Sequence, residues 1–469
     1  MNPIQTDIVV VGAGPGGYAA AFHAADLGQK VILVEKDMSL GGVCLNRGCI
    51  PSKALLHASG ILAQATQASE FGITFSPPLV DLDKLRSWKN GIITKLAGGI
   101  RALAKQRKIE VMIGRGYFEN SNLLRVETEE GQTFISFKKA VIAVGSKPAL
   151  PSTFDLGNKR IMTSTEALEL EEIPDTLLVV GGGYIGMELG TVYASLGSQV
   201  VMVEANATLL AGADPDLARP VVKYAQTHFK EVRLNTKITK MATSGKKIKV
   251  TFDANGTLTD EIYDRVLVSI GRSPNSKHLG LENTQVELDD RGFIKTNASS
   301  QTTDPHIYAI GDIAGGLMLA HKASKEAKIA IETLTGHHVA FDQKIPAVVF
   351  THPEIAWVGL TETEAKAQNI PVKVTKFPWG ASGRAMTVQG TEGLTKLIIE
   401  PETDRILGVG IVGAGAGDLI SEGTLAIEMG ATALDLAETI HPHPTLSETL
   451  MEAAEAFYGH STHIHSKAK

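Results

Sequence analysis

A chain of 469 residues is too long for one hydrophobic core and predicts two to four domains. Its 43% hydrophobic and 20% charged content is that of a globular protein, and a net charge of −6 argues against non-specific nucleic-acid binding or a basic membrane-binding surface. Two cysteines exclude a disulfide framework and fit a reducing compartment.

The N-terminal stretch MNPIQTDIVVVGAG carries no cationic region and no apolar signal core. No apolar run reaches the roughly 18 residues of a membrane span. A cytoplasmic protein without membrane insertion is expected.

Asp7 to Val11 form a continuous apolar run, as in a central parallel strand buried on both faces. Gly12, Gly14 and Gly17 follow in GAGPGG, then the helical pattern YAAAFHAADLG, then a strand ending at Glu35. This is the full dinucleotide-binding context. Glycines let the backbone approach a pyrophosphate at a helix N-terminus, and the acid accepts from a ribose hydroxyl.

The stretch GGVCLNRGCIPSK, Gly41 to Lys53, holds both cysteines, Cys44 and Cys49. Positions five apart on a regular helix rise by about 7.5 Å, beyond the Cα separation of roughly 7 Å that a disulfide tolerates. The pair can close only where the helix is irregular or just beginning. Gly41, Gly42 and Gly48 give that freedom, and Pro51 suits a first helical turn. Lys53 falls one turn beyond Cys49, where a cation favours a thiolate. The pattern reads as a redox-active disulfide. Arg47, between the cysteines, either depresses a thiol pKa or faces solvent.

The dinucleotide unit then repeats. Leu177 to Val180 lead into Gly181, Gly183 and Gly186 in GGGYIG, a helix, and a strand ending at Glu204. Both units place the acid 23 residues after the first glycine, Gly12 to Glu35 and Gly181 to Glu204, which argues for two dinucleotides on one chain. Tyr184 inside the second turn either covers a nicotinamide pocket or packs on its helix. Each unit exits through an apolar strand into Gly-x-x-Pro, at Gly145 and Gly271. Ser52 to Arg107, with helical periodicity, lengthens the first unit.

A third signal follows. The strand PHIYAIGD reaches Asp312, and a long helix begins near Leu319. An acid after a strand can hold a polyol hydroxyl, and a helix N-terminus suits an anionic ring. The first domain is therefore expected to resume after the second is inserted. From Pro346 the pattern becomes an antiparallel sheet with helices. Near the end, TIHPHPTLSETLMEA offers His443 with Glu448 five residues on, a base with an orienting carboxylate; His441 is an equal candidate. The tail GHSTHIHSKAK reads as a frayed terminus, and no metal site is expected.

Together, DIVVVGAGPGG, GGVCLNRGCIPSK, GGGYIGMELG, YAIGD, MLAHKA, THPEIAWVGLT and HPTLSE resemble the flavin-dependent pyridine nucleotide–disulfide oxidoreductase family across essentially the whole chain. The likeness is strongest to members that oxidise dihydrolipoyl groups. It implies an α/β fold with two Rossmann-like domains, the second inserted in the first, and a C-terminal α+β dimerisation domain. The expected boundaries are 1–147 for FAD binding, 148–272 for NAD binding, 273–345 for a central part completing the FAD site, and 346–469 for the interface.

The resemblance also implies roles. Gly12, Gly14, Gly17, Glu35, Gly116, Asp312 and Ala320 would bind FAD, with Lys53 near its reactive edge and paired with Glu188. Gly181, Gly183, Tyr184, Ile185, Gly186, Glu204, Ile238 and Gly271 would bind NAD. Cys49 would be the flavin-side thiol and Cys44 the one that exchanges with substrate. His443, oriented by Glu448, would be the base acting on the partner's disulfide in a homodimer. Lipoyl domains and the acyltransferase core of 2-oxo acid dehydrogenase complexes would be partners.

Val43 and Arg47 depart from residues that many members carry. NADP-dependent disulfide reductases want arginines after the second strand, where this chain has Glu204, Ala205 and Asn206. Mercuric and large thioredoxin reductases need further C-terminal cysteines, and there is none after Cys49. A non-catalytic scaffold would have no need of the intact Cys44–Cys49 and His443–Glu448 pairs.

Overall fold

The computed structural model describes residues 2–465. Strand β1 (Ile4–Val11) lies inside a seven-stranded sheet, parallel to β2 (Val31–Glu35) on one side and to the strand Gly131–Ile142 on the other. Ile8, Val9 and Val10 are at most 1% exposed, as expected of a run covered on both faces. Helix α1 (Pro15–Asp26) crosses between β1 and β2. The strand Ile307–Ala309 joins the same sheet by pairing with Ala140–Ile142, so the first unit resumes after the second.

The second unit forms a separate parallel sheet in the order Glu231–Arg233, Gln199–Val203, Thr176–Val180, Arg265–Val268, Ile161–Met162. A three-stranded antiparallel ribbon over Thr236–Ser244, Lys247–Ala254 and Thr257–Tyr263 is attached to it. The two exit segments pair with each other, Ser146–Pro148 antiparallel to Arg272–Pro274. Both crossings between the units therefore pass through one two-stranded link.

The cysteine stretch breaks its helix as the spacing requires. Cys44 lies on α2 (Gly42–Arg47), Gly48 interrupts, and Cys49 opens α3 (Cys49–Gln67). A Cβ on Gly48 would stand 3.0 Å from the Val43 carbonyl oxygen and 3.3 Å from Cys44 Cα. At the other end of α2, Gly42 has φ +60°, and a Cβ there would stand 2.6 Å from Gly14 Cα. The cysteine helix thus rests backbone-to-backbone on the first glycine turn. Another long helix, Leu82–Gln106, completes this helical insertion.

The C-terminal part is a five-stranded antiparallel sheet, with helices Ala416–Glu428, Ala433–Glu438 and Glu448–Tyr458. It grips the second unit through Lys396. That ammonium, 1% exposed, lies 2.9 Å from Asp214, 3.0 Å from Asp216 and 2.7 Å from Glu362. The three acids have the spacing of a cation site, and their cation is this lysine. Burial alone would raise Asp214, but the bonds from Lys396, Thr363 and the backbone hold it down at about 2. Glu362, bonded to Lys366 and Lys396, is also held at about 2.

Removing the lysine would leave the buried Asp214 carboxylate without a cation. Lys396→Met is expected to cost about 3–5 kcal/mol, read from urea unfolding; an unchanged midpoint would contradict this. Because both carboxyls are depressed, the stability they add is present above the unfolded-state value near 4. It is lost as pH falls from there towards about 2, which acid-unfolding curves of wild type and Lys396→Met should show.

Candidate active site

Cys44 and Cys49 are free thiols in this structure, with Cys49 exposed and Cys44 half-buried. The Cys44 thiol donates to Cys49. That bond, helped by the Lys53 ammonium, lowers Cys49 to about 7 against the opposing effect of burial. The same bond, followed by burial, pushes Cys44 well above an ordinary thiol. The two sulfurs are therefore unequal, and the first negative charge sits on Cys49.

Lys53 lies one regular turn along α3 from Cys49. Its ammonium donates to both Glu188 oxygens, at 2.9 and 2.8 Å, and lies 4.5 Å from the Phe350 ring centroid. Glu188 is almost fully buried and also accepts the Phe350 N–H at 3.0 Å. Three parts of the chain thus fix one cation beside the thiols. Arg47 is partly exposed, and neither thiol owes its main shifts to it. Its guanidinium pairs with Asp37.

A cavity of about 830 Å³ opens on the cysteines. Gly12, Gly14, Glu35 and Gly116 line it, as do Cys44, Cys49 and Lys53, and Asp312 with Ala320. Gly17 of the first turn is not on its wall. Two helix N-termini without side-chain caps border it. Gly14 caps α1 and Leu319 precedes the helix Ala320–Leu334; neither helix has an acid in its first turn. Free backbone N–H groups at both ends suit an anionic diphosphate and an anionic ring. These features fit FAD.

Glu35 also has a second task. Its carboxylate accepts Ala13 N–H at 2.7 Å and Asp37 N–H at 3.0 Å, tying the strand end to the glycine turn. Asp312 accepts the Ser146 hydroxyl and lies 3.6 Å from Arg272 Nε. Ser146 and Arg272 were not singled out from sequence. Each directly follows the glycine that ends its unit's last strand, where ligand groups gather in doubly wound folds.

The second unit repeats the carboxylate arrangement. Glu204 accepts Gly182 N–H at 2.8 Å, Asn206 N–H at 2.8 Å and the Asn206 side-chain amide at 2.7 Å. Among the residues expected to bind NAD, Tyr184 and Ile185 line the cavity with the cysteines. Gly181, Gly183, Gly186 and Glu204 surround the second turn away from that cavity. Ile238 packs against the core of the second unit, and the Gly271 carbonyl is taken by Ala149 N–H. Tyr184 is 41% exposed and faces the cavity instead of packing away on its helix.

His443 Nδ1 lies 2.8 Å from Glu448, whose other oxygen accepts Thr445 N–H at 2.7 Å. The imidazole is 76% exposed. His441 is its opposite. It is 4% exposed, with Nε2 2.6 Å from Glu422 and Nδ1 2.8 Å from the Thr439 carbonyl. Among the described residues none beyond Ala323 lines the cysteine cavity, so His443 is not brought to this chain's own thiols. The expected frayed tail is corrected up to His465. His463 and Ser461 bond the buried Glu452, and His460 stacks on Tyr458 at 5.8 Å between centroids. The last four residues, 466–469, lie outside the described residues.

No helix among the described residues is long and apolar enough to cross a membrane. Residues 6–327 match the pyridine nucleotide-disulphide oxidoreductase family, and residues 345–454 match that family's dimerisation domain. Dihydrolipoyl dehydrogenases of Vibrio cholerae and Haemophilus influenzae are each 46% identical over 99% of this chain and 98% of theirs. The enzyme of that name from Staphylococcus aureus is 46% identical, with 98% of each chain covered. Among solved structures, LpdA from Mycobacterium tuberculosis superposes with a TM-score of 0.89 at 27% identity, covering 96% of this chain and 99% of that one. The Cu(II) complex of the flavoprotein disulfide reductase RclA from Escherichia coli gives 0.87 at 27%, covering 97% and 99%. With paired thiols on a dinucleotide-sized cavity and these likenesses over its whole length, the chain belongs to the pyridine nucleotide-disulphide oxidoreductase family.

Proposed function

We propose that the protein oxidises protein-bound dihydrolipoyl groups to lipoyl, with NAD⁺ as the final acceptor, as a homodimeric FAD enzyme. The observation that carries this is the unequal thiol pair, Cys44 and Cys49, opening with Lys53 onto one cavity. The relatives named dihydrolipoyl dehydrogenase support the substrate. Glu204 supports NAD⁺, since a carboxylate fixed where a 2′-phosphate would lie repels it. FAD, when bound, accepts two electrons from the dithiol and passes hydride to NAD⁺.

The chain's own residues account for the thiol chemistry. His443 Nε2 takes the proton of a dihydrolipoyl thiol, while Glu448 holds Nδ1 and stabilises the imidazolium. The substrate thiolate attacks Cys44 of the disulfide, the Cys44–Cys49 bond breaks, and Cys49 leaves as a thiolate beside Lys53. The imidazolium returns its proton to Cys44 as the second substrate thiol, giving its own proton to His443, displaces that sulfur and closes the lipoyl ring. Cys49 leaves well because the Lys53 ammonium beside it favours the thiolate.

The base acts across a dimer. His443 is exposed and lies away from the cavity wall of its own chain. The same C-terminal part exposes apolar side chains, among them Leu425 at 62%, Met429 at 75% and Ile440 at 95%, which a second copy would cover. We assign residues 1–147 and 273–345 to FAD, 148–272 to NAD and 346–469 to the interface. The physiological substrates are lipoyl domains attached to the acyltransferase core of cytoplasmic 2-oxo acid dehydrogenase complexes.

Cys44→Ser should abolish dihydrolipoamide oxidation while leaving FAD bound; loss of flavin instead would make the pair structural. His443→Gln should slow the dithiol half-reaction by roughly 10²–10⁴-fold, and His441→Gln should not; equal losses would reject the assignment. Mixing Cys49→Ser with His443→Gln subunits should restore about a quarter of the activity if the site is shared across a two-fold axis, and none if each chain is self-sufficient. In the reduced protein, thiolate absorbance should rise as pH increases through about 7. Cys44→Ala, which removes the donated bond, should move that midpoint upward; a midpoint that stays put would contradict the coupling.

A further inference from the structure

Arg47 sits on α2, three residues after Cys44 and two before Cys49. Its guanidinium donates to Asp37, and both side chains are 34% exposed. Both also line the 830 Å³ cavity. The guanidinium carries five N–H donors, and among the described residues Asp37 is its only protein acceptor. The other donors remain available on the cavity side. Asp37 belongs to the loop that leaves Glu35, and its own N–H is bonded to Glu35. A run of contacts therefore leads from the first glycine turn through Glu35 and Asp37 to Arg47, on the helix that carries Cys44.

We infer that Arg47 is a cofactor-binding residue, donating to an anionic oxygen of the AMP half of FAD while Asp37 holds its guanidinium in place. This rests on the proposed FAD site. It adds a contact supplied by the cysteine helix and not by either glycine turn. Arginine suits the position because its planar fork presents N–H groups in fixed geometry to a carboxylate and a phosphate oxygen together, whereas a lysine offers only a point charge on a flexible stem. Binding of the dinucleotide would then fix the helix bearing the exchanging thiol.

The test is titration of FAD into full-length apoprotein, followed by flavin fluorescence, with wild type, Arg47→Val, Arg47→Lys and Asp37→Ala. A charge-assisted contact predicts at least a fivefold rise in Kd for Arg47→Val, with Arg47→Lys in between. Asp37→Ala, which leaves the guanidinium free to reach the cofactor, should stay below fivefold. Circular dichroism of each apoprotein should match wild type. A rise below fivefold for Arg47→Val, or an equal loss for Asp37→Ala, would overturn the inference. Failure of the wild type to take up FAD would instead refute the proposed function and is distinguishable from both.

Discussion

The contact of Gly42 with Gly14 is the constraint on which the site depends. Two backbones approach so closely that a Cβ on Gly42 would stand 2.6 Å from Gly14 Cα. This places α2, and with it Cys44, against the turn that opens the dinucleotide cavity. The break at Gly48 then restarts the helix with Cys49 at its first residue. Neither arrangement is available to a regular helix with side chains at those positions. Once both are in place, the thiols are adjacent, their charges are unequal, and Lys53 follows one turn later.

The electrostatics follow from this geometry. A single donated hydrogen bond lowers Cys49 and raises Cys44, and Lys53 acts on the same side. Lys53 can do so because Glu188 of the second unit and the Phe350 backbone of the C-terminal part hold it. The buried Lys396 clamps those same two parts together elsewhere. The thiol pair therefore draws on the whole chain, although its two sulfurs lie within six consecutive residues.

Much of this was legible in the sequence because it lies in local pattern. The apolar runs before Gly12 and Gly181, the matched spacing to Glu35 and Glu204, and the helix from Ala320 all appear as read. What could not be read depends on contacts distant along the chain. His441 and His443 are indistinguishable in HPHP, yet one has both nitrogens engaged and the other is exposed. Lys396 looks like any strand lysine until Asp214 and Glu362 close on it. Ser146 and Arg272 reach Asp312 only because the exit segments pair. Arg47 was open between two roles because its partner, Asp37, lies ten residues earlier and on a different element. Short polar strands such as Thr257–Tyr263 give little periodic signal, and their ribbon appears only in the fold.

The most direct test of the account is a matched steady-state assay of the purified protein. Dihydrolipoamide is offered with NAD⁺ and with NADP⁺, and glutathione disulfide with NADH and with NADPH. Rapid turnover is expected for dihydrolipoamide with NAD⁺ alone, as the proposed roles of Glu204 against a 2′-phosphate and of Cys44 in dithiol exchange require. Rapid reduction of glutathione disulfide by NADPH, with no dihydrolipoamide turnover, would contradict it.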